Sequence, residues 1–318
     1  MTNRFLLVGG AIAAIAAVGA LIIYSLSNYG ITQGPPTTPE EPHGTMQMEQ
    51  IAERSGRTND VVHDSRIMME VNSYAISDRI DNPPIVSSSK QKFLTVDLSV
   101  RSIGHILPFS PNLFKLKTDV GEIAPSIITS SVDTGLRQIY LPKDQVIRTL
   151  LIFESPSFGK TPAILDYSDR SSSFSITLDQ PGSSESKLVG DAKVLYAVGE
   201  SMKDNSLRLK TDVSSIDRID SYAPKPDNEA FRVSLTFQNE GNSTVRVDPS
   251  YVFILDNKSY IYSINESASN NLPSPLKKTD LEPSSSTTGD IIIEVPKQSA
   301  GLTLMYAGPN NTFLAKIY

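Results

Sequence analysis

The feature that most constrains this chain of 318 residues is that it repeats itself at long range. Asp78-Arg79-Ile80-Asp81 returns 139 positions later as Asp217-Arg218-Ile219-Asp220. Each copy runs into a proline-containing loop, Asn82-Pro83-Pro84 in one and Ala223-Pro224-Lys225-Pro226 in the other. The flanks agree. Leu94, Val96, Leu98 and Val100 alternate with polar residues as Phe231, Val233, Leu235 and Phe237 do, at a spacing of 137. Phe153-Glu154-Ser155-Pro156 answers to Ile293-Glu294-Val295-Pro296 at 140, and Phe174, Ile176 and Leu178 answer to Phe313, Ala315 and Ile317 at 139. A period of this length is that of a duplicated domain, whereas solenoid units repeat every 20 to 50 residues or so.

Each copy must be stabilised by its own apolar interior, because the chain contains no cysteine. That excludes disulfides, thiolate metal ligands, cysteine nucleophiles and lipid-modified cysteine anchors. Thirty-five acidic residues against 29 basic ones leave a formal charge of −6, mixed along the chain without a basic run. Phosphate backbones are held by clustered Lys and Arg, so nucleic acid is not an expected partner.

Phe5 to Leu26 carries no charged side chain. As a helix rising 1.5 Å per residue it covers roughly 33 Å, enough for a bilayer core of about 30 Å. Arg4 precedes it, and the next basic residue is Arg54. The positive-inside rule then keeps the N terminus in the cytoplasm and sends the remainder outside. A cleaved signal peptide ending near Val18-Gly19-Ala20 is the other reading, and it exports the same domains. The apolar run continues through Leu21-Ile22-Ile23-Tyr24, which favours an anchor that is retained.

The predicted organisation is therefore an anchor over 1–26 and a Pro/Thr-rich stalk over 27–65, with a short helix at Met46 to Arg54. A first β-sandwich over 66–180 follows, then a linker over 181–191 within a flexible joint, and a second sandwich over 192–318. Phe93 to Arg101 and Phe231 to Gln238 read as half-buried strands. Leu113 to Leu116, Tyr251 to Leu255, Leu150 to Phe153 and Ile291 to Val295 are denser apolar runs, compatible with central strands whose second face is also partly covered. Pro156 and Pro296 end two of them, because proline cannot donate to a ladder. Gly104 and Gly241 occupy turns that call for positive φ.

In both copies an alternating strand ends in a glycine turn, Arg101-Ser102-Ile103-Gly104 and Gln238-Asn239-Glu240-Gly241. An aromatic strand follows, then Leu141-Pro142 or Leu281-Glu282-Pro283, then an apolar strand closing in Glu-x-Pro. In these features the chain resembles the membrane-tethered extracytoplasmic domains of bacteria and archaea that share an immunoglobulin-like sandwich with the secreted mycobacterial immunoprotective antigen. The resemblance spans roughly 66–318 and is closer in the second copy. It implies two tandem immunoglobulin-like sandwiches and binding or assembly at the cell envelope, with no catalytic set to transfer.

Candidate chemistry is sparse. Gly159-Lys160-Thr161 resembles the end of a phosphate-binding loop, but Glu154 stands where that loop needs its first glycine. Ser-x-x-Lys at Ser87, Ser157, Ser184 and Ser274 lies in loop-like sequence, and Gly199-Glu200-Ser201-Met202-Lys203 lacks the last glycine of a nucleophile elbow. His43, His63 and His105 are too scattered for a zinc or copper site. The repeated Asp-Arg-Ile-Asp offers two carboxylates, fewer than calcium usually takes, and reads as a pinned loop with Ile80 or Ile219 turned inward. Asn242, Asn257, Asn265 and Asn310 begin glycosylation sequons at predicted turns. No tryptophan is present, which argues against a carbohydrate platform.

The expectation is a non-enzymatic, single-pass envelope protein without catalytic, cofactor or metal residues, membrane-bound through 5–26. It would act by contact with envelope or membrane proteins rather than on a small molecule. The alternative is an accessory subunit beside a membrane enzyme or transporter, packed through Gly9, Gly10, Ala13, Ala14 and Ala17 of the anchor.

Overall fold

Alternation in the sequence becomes two-faced strands in a computed structural model that describes residues 52–80, 85–87, 90–127, 129, 134–179, 185–188, 196–216 and 222–317. The expected anchor, most of the stalk, Asp81 and residues 217–220 of the repeated tetrapeptide lie outside these. Among the described residues no helix is long and apolar enough to cross a membrane.

The N-terminal set of strands is β1 (Ala52–Arg57), β2 (Val61–His63), β3 (Ile67–Ser77), β4 (Arg79–Ile80), β5 (Ile85–Val86), β6 (Lys92–Ser102) and β7 (Leu107–Phe109). It continues with β8 (Phe114–Thr118), β9 (Gly121–Ile123), β10 (Ile139–Leu141), β11 (Val146–Ser155), β12 (Ala163–Ser168) and β13 (Ser172–Leu178). The C-terminal set is β14 (Tyr196–Ala197), β15 (Ser201–Asp204), β16 (Leu207–Ile216), β17 (Asn228–Asn239), β18 (Val245–Val247) and β19 (Val252–Leu255). After β20 (Ile261–Ser263) comes a short helix, Glu266–Asn270, then β21 (Thr279–Leu281), β22 (Ser286–Pro296), β23 (Thr303–Ala307) and β24 (Thr312–Lys316).

A sheet in the order β11-β6-β3-β2 faces one in the order β1-β13-β12-β8-β9. Further along, β22-β17-β16-β15 faces β14-β24-β23-β19-β20. The orders correspond strand for strand, down to the parallel pairing of β1 with β13 and of β14 with β24 and the two-stranded ribbons β7-β10 and β18-β21. The chain is thus an all-β protein of β-sandwiches. In the first interior, Val96 and Leu98 of β6 meet Leu116, Tyr167, Phe174 and Ile176 from the opposite sheet. Tyr167 stacks at 5.8 Å from Phe174 and 5.9 Å from Phe109. In the second, Tyr306 takes the place of Tyr167, 5.0 Å from Phe237 and 5.9 Å from Phe313.

Several expectations need correction. The first sandwich begins at Ala52, and residues 52–54 are strand where a helix was expected. β1 has no apolar alternation because main-chain hydrogen bonds to β13 define it, at the edge of the sheet, where one face need not be buried. Leu113 to Leu116 is not covered on both faces, since Lys115 is exposed. The joint is pinned at Glu185 to Leu188. There the Ser186 hydroxyl and the Lys187 amide donate to Glu70 Oε2 at 3.0 and 2.8 Å. Gly104 has φ +87°, as the turn demands, but Gly241 is needed for a different reason: a Cβ there would sit 2.4 Å from the Ser206 Cβ. The Glu266–Asn270 helix has a local cause in Asn265, whose side chain accepts from the Ala268 amide as N-cap.

Among the described residues no sheet draws strands from both sides of residues 179–195, yet residues 51–318 form one compact unit. All of β19 and β23 is buried on both faces. Val252, Ile254, Leu304 and Tyr306 point into their own sandwich, whereas Phe253, Leu255, Ile261, Met305 and Ala307 join the core of the first. Tyr140 and Tyr251 meet edge to face across the junction at 5.5 Å.

Candidate functional site

Where the two sandwiches meet, their loops enclose a cleft of about 820 Å³. One wall starts at Ser110, where proline at the first position of a 3-10 turn, Pro111–Leu113, joins β7 to β8. Next comes the loop after β9. It is clamped to β11 by the Ser126 amide donating to the Ile152 carbonyl at 2.7 Å and by Thr129, whose hydroxyl accepts from the Ile152 amide at 3.0 Å and donates back to its carbonyl at 3.1 Å. Arg137 and Gln138, entering β10, complete that side. The other wall consists of Lys225, Ser263 to Glu266 and Glu294.

Glu294 is the buried carboxylate of this wall, 7% exposed on the outer side of β22. Asn265 Nδ2 donates to its Oε1 at 2.9 Å, and Asn228 Nδ2 and the Lys225 amide donate to its Oε2, both at 3.2 Å. Burial pushes the carboxyl up. Donors from Tyr222, Lys225, Asn265 and Asn228 outweigh that and hold it below the ordinary carboxylate range. It is a fixed anion that organises the Pro224-containing loop and the helix cap.

A second polar cluster bolts the sandwiches together. Arg148 on β11 grips Asp97 on β6 with two nitrogens, Nε at 2.8 Å and Nη2 at 2.5 Å. Asn72 donates to the same carboxylate at 3.0 Å and to Ser99 at 2.9 Å. From the second sandwich, the Tyr260 ring lies 4.6 Å from the guanidinium carbon, and its hydroxyl donates to Asp97 Oδ2 at 2.8 Å. The Arg148 amide donates to the Ser259 carbonyl at 2.6 Å. Burial pushes the Tyr260 phenol up, and the neighbouring Asp97 adds to the effect.

The sequence motifs fall elsewhere. The Lys160 amide, which a phosphate would need, already donates to Asp119 Oδ2 at 3.1 Å. Asp78 and Arg79 open the β4-β5 hairpin, and Ile80 packs with Ile85 on Phe93 and Ile152. Among the described residues no three His, Asp or Glu side chains are grouped to hold a metal. Asn242, Asn257 and Asn310 are exposed, while the Asn265 amide is taken up by Glu294. Glu294 was visible only as a strand-ending Glu-x-Pro. Arg148 had a signal that reasoning passed over, a lone charge inside an apolar strand.

Residues 196–314, most of the second sandwich, match the family model described as a domain of unknown function, DUF4352. No curated protein matches. Among solved structures, the yjhA protein from Bacillus subtilis is 17% identical, covers 39% of this chain and 100% of its own, and superposes with a TM-score of 0.31. A conserved hypothetical protein from Bacillus anthracis is 16% identical over 39% of this chain and 95% of its own, at 0.31. The secreted protein MPT63 from Mycobacterium tuberculosis is 10% identical over 41% and 98%, at 0.29. The class defined by the fold and the family match is a β-sandwich protein. Its C-terminal part is similar to DUF4352.

Proposed function

We propose that the chain is a non-enzymatic, membrane-anchored contact protein of the cell envelope. Two tandem immunoglobulin-like sandwiches would stand outside a single N-terminal transmembrane helix at residues 5–26, with the N terminus in the cytoplasm, and engage other envelope or membrane proteins. The observation that carries this reading is the junction cleft, whose walls come from both sandwiches and whose shape depends on their being bolted together at Asp97, Arg148 and Tyr260. Binding sites favour such concave seams between modules.

The test places a photo-cross-linking amino acid at Gln138 in the full chain, expressed in its native cells. An adduct with another envelope protein is expected, and protease added to cells with the outer surface opened should digest the sandwiches while sparing the cytoplasmic N terminus. Recovery of the uncross-linked chain alone, from Gln138 and from exposed positions on every other face, counts against the contact role.

A further inference from the structure

Resting on that contact role, we infer that the junction cleft takes an extended, uncharged peptide segment of a partner protein and recognises it through its main chain. The cleft's charges are balanced within its own lining. Glu294 is bound by Asn265, Asn228 and the Lys225 amide, and Arg137 faces Glu266 at 4.0 Å. Two basic and two acidic lining residues balance each other. A charged ligand would therefore leave water without gaining a dedicated counter-ion.

The lining also carries neutral polar groups. The side chains of Ser110, Asn112, Gln138 and Ser263 make no hydrogen bond among the described residues, and the Ser263 oxygen is buried without a partner. A primary amide presents a donor and an acceptor in one plane, which is the complement of a peptide group. The orphaned hydroxyl needs a partner for the same reason any buried polar atom does. Apolar positions lie among these groups in the cleft: Pro111 beside Asn112, with Pro125 and the exposed Ile127 on the same wall, and Ile264 beside Ser263 on the other. An extended strand sends successive side chains to opposite sides, so its main chain can meet the amides while alternate side chains meet the apolar positions. Among the described residues no aromatic ring lines the cleft to stack on a sugar.

The experiment uses the full chain in lipid nanodiscs and fluorescence anisotropy. The probes are a blocked heptapeptide of alternating threonine and valine, the same peptide with aspartate or lysine at its centre, and a β-1,4-linked hexasaccharide. Saturable binding of the neutral peptide is expected, with both charged versions weaker. Replacing Asn112→Ala together with Gln138→Ala should weaken it about tenfold, the equivalent of one or two hydrogen bonds. Both residues are exposed, so the melting temperature should hold and a folding defect is separable from a binding defect. Preference for the hexasaccharide, no saturation by any peptide, or binding indifferent to the double variant overturns the inference. If cells still yield partner cross-links from faces outside the cleft while the peptide fails, the contact role stands and this inference alone falls. If cross-links are missing everywhere, both fall.

Discussion

The same pair of strands occurs in each sandwich with opposite chemistry on its outer side. In the first, Phe114 lies opposite Tyr167 and Lys115 opposite Asp166; in the second, Val252 lies opposite Tyr306 and Phe253 opposite Met305. The inward pairs are both apolar. The outward ones are ionic in the first, where Lys117 meets Asp166 at 2.6 Å and Lys115 meets Glu122 at 3.1 Å, and wholly apolar in the second. Of these two outer pairs, that of the second sandwich is covered, by the first sandwich. The fold thus requires one apolar face per sheet, and the second apolar face records docking. A matching exchange occurs on the other sheet. Asp97, on the inner strand β6, lies opposite Leu150 on the edge strand β11, whereas Ser234 on β17 lies opposite Asp290 on β22. The acid has changed strands. Its arginine partner is buried at Arg148 and 40% exposed at Arg232.

The harshest way to break this comparison is to write the first sandwich's outer pair into the second, as Phe253→Lys with Met305→Asp. Truncating a buried phenylalanine already costs about 3–5 kcal/mol, and charges buried at an apolar seam add desolvation. Stability should fall by more than that range, amide exchange in β19 and β23 should rise, and urea unfolding should split into two transitions. A single transition at the original midpoint would show that the seam contributes nothing.

Next in size is Arg148→Met, which leaves Asp97 buried without its cation and should cost about 3–5 kcal/mol. Combining it with Asp97→Leu should recover only part of the loss: an apolar pair of similar volume often replaces a buried ion pair without penalty, but Asn72 and Tyr260 lose the acceptor they share. Arg232→Met should cost about 1 kcal/mol or less, because that guanidinium is screened by water. Urea denaturation of the three variants sharpens the contrast, and equal losses at Arg148 and Arg232 would erase it.

Much of the internal plan was legible because it is periodic. Phe231 to Gln238 became part of β17 with its apolar residues inward, and Phe313 to Ile317 became β24 within a residue at each end. Phe93 to Arg101 became part of β6, but it is not half-buried as expected, because Phe93, Asp97 and Ser99 on its outer side are buried as well. The density of Tyr251 to Leu255 correctly signalled two covered faces, but density says nothing of what covers them. Contacts of that kind link residues far apart: Tyr260 reaches Asp97 over 163 positions. β1 was missed because parallel main-chain pairing leaves no apolar rhythm, and the joint because Ser186 and Lys187 are held by a single buried acid, Glu70. The cleft was illegible for a related reason. Asn112, Gln138 and Ser263 carry no shared pattern, and only docking brings them to one space.

Acid distinguishes the sandwiches through Glu294, whose counterpart by spacing is Glu154. The folded-state pKa of Glu294 is lowered, so its contribution is present above the ordinary glutamate value of about 4.5 and is lost as pH falls through the folded value. Glu294→Gln should therefore flatten the decline of melting temperature on the acid side of that value, while leaving its trend above pH 5 almost unchanged. An unaltered acid limb would mean that Asn265, Asn228 and Lys225 do not favour the charged form.

The smallest effect is expected at the glycine turns, where Ile103 in the first copy stands in the place of Glu240 in the second. Glu240 is pulled down to about 2 by hydrogen bonds from Arg208 and then from Lys203, which approach it at 2.5 and 2.6 Å. The site is open to water, so such a shift reports local geometry and carries little stability with it. Carbon-detected NMR titration should find this carboxyl still ionised near pH 3, and Arg208→Ala should move its midpoint back toward the ordinary value near 4.5 without a measurable change in melting temperature. A midpoint that stays low in Arg208→Ala would assign the shift to Lys203 alone. One that is ordinary in the native chain would mean that the arginine swings free, leaving this turn as loosely specified as the Ile103 turn it replaces.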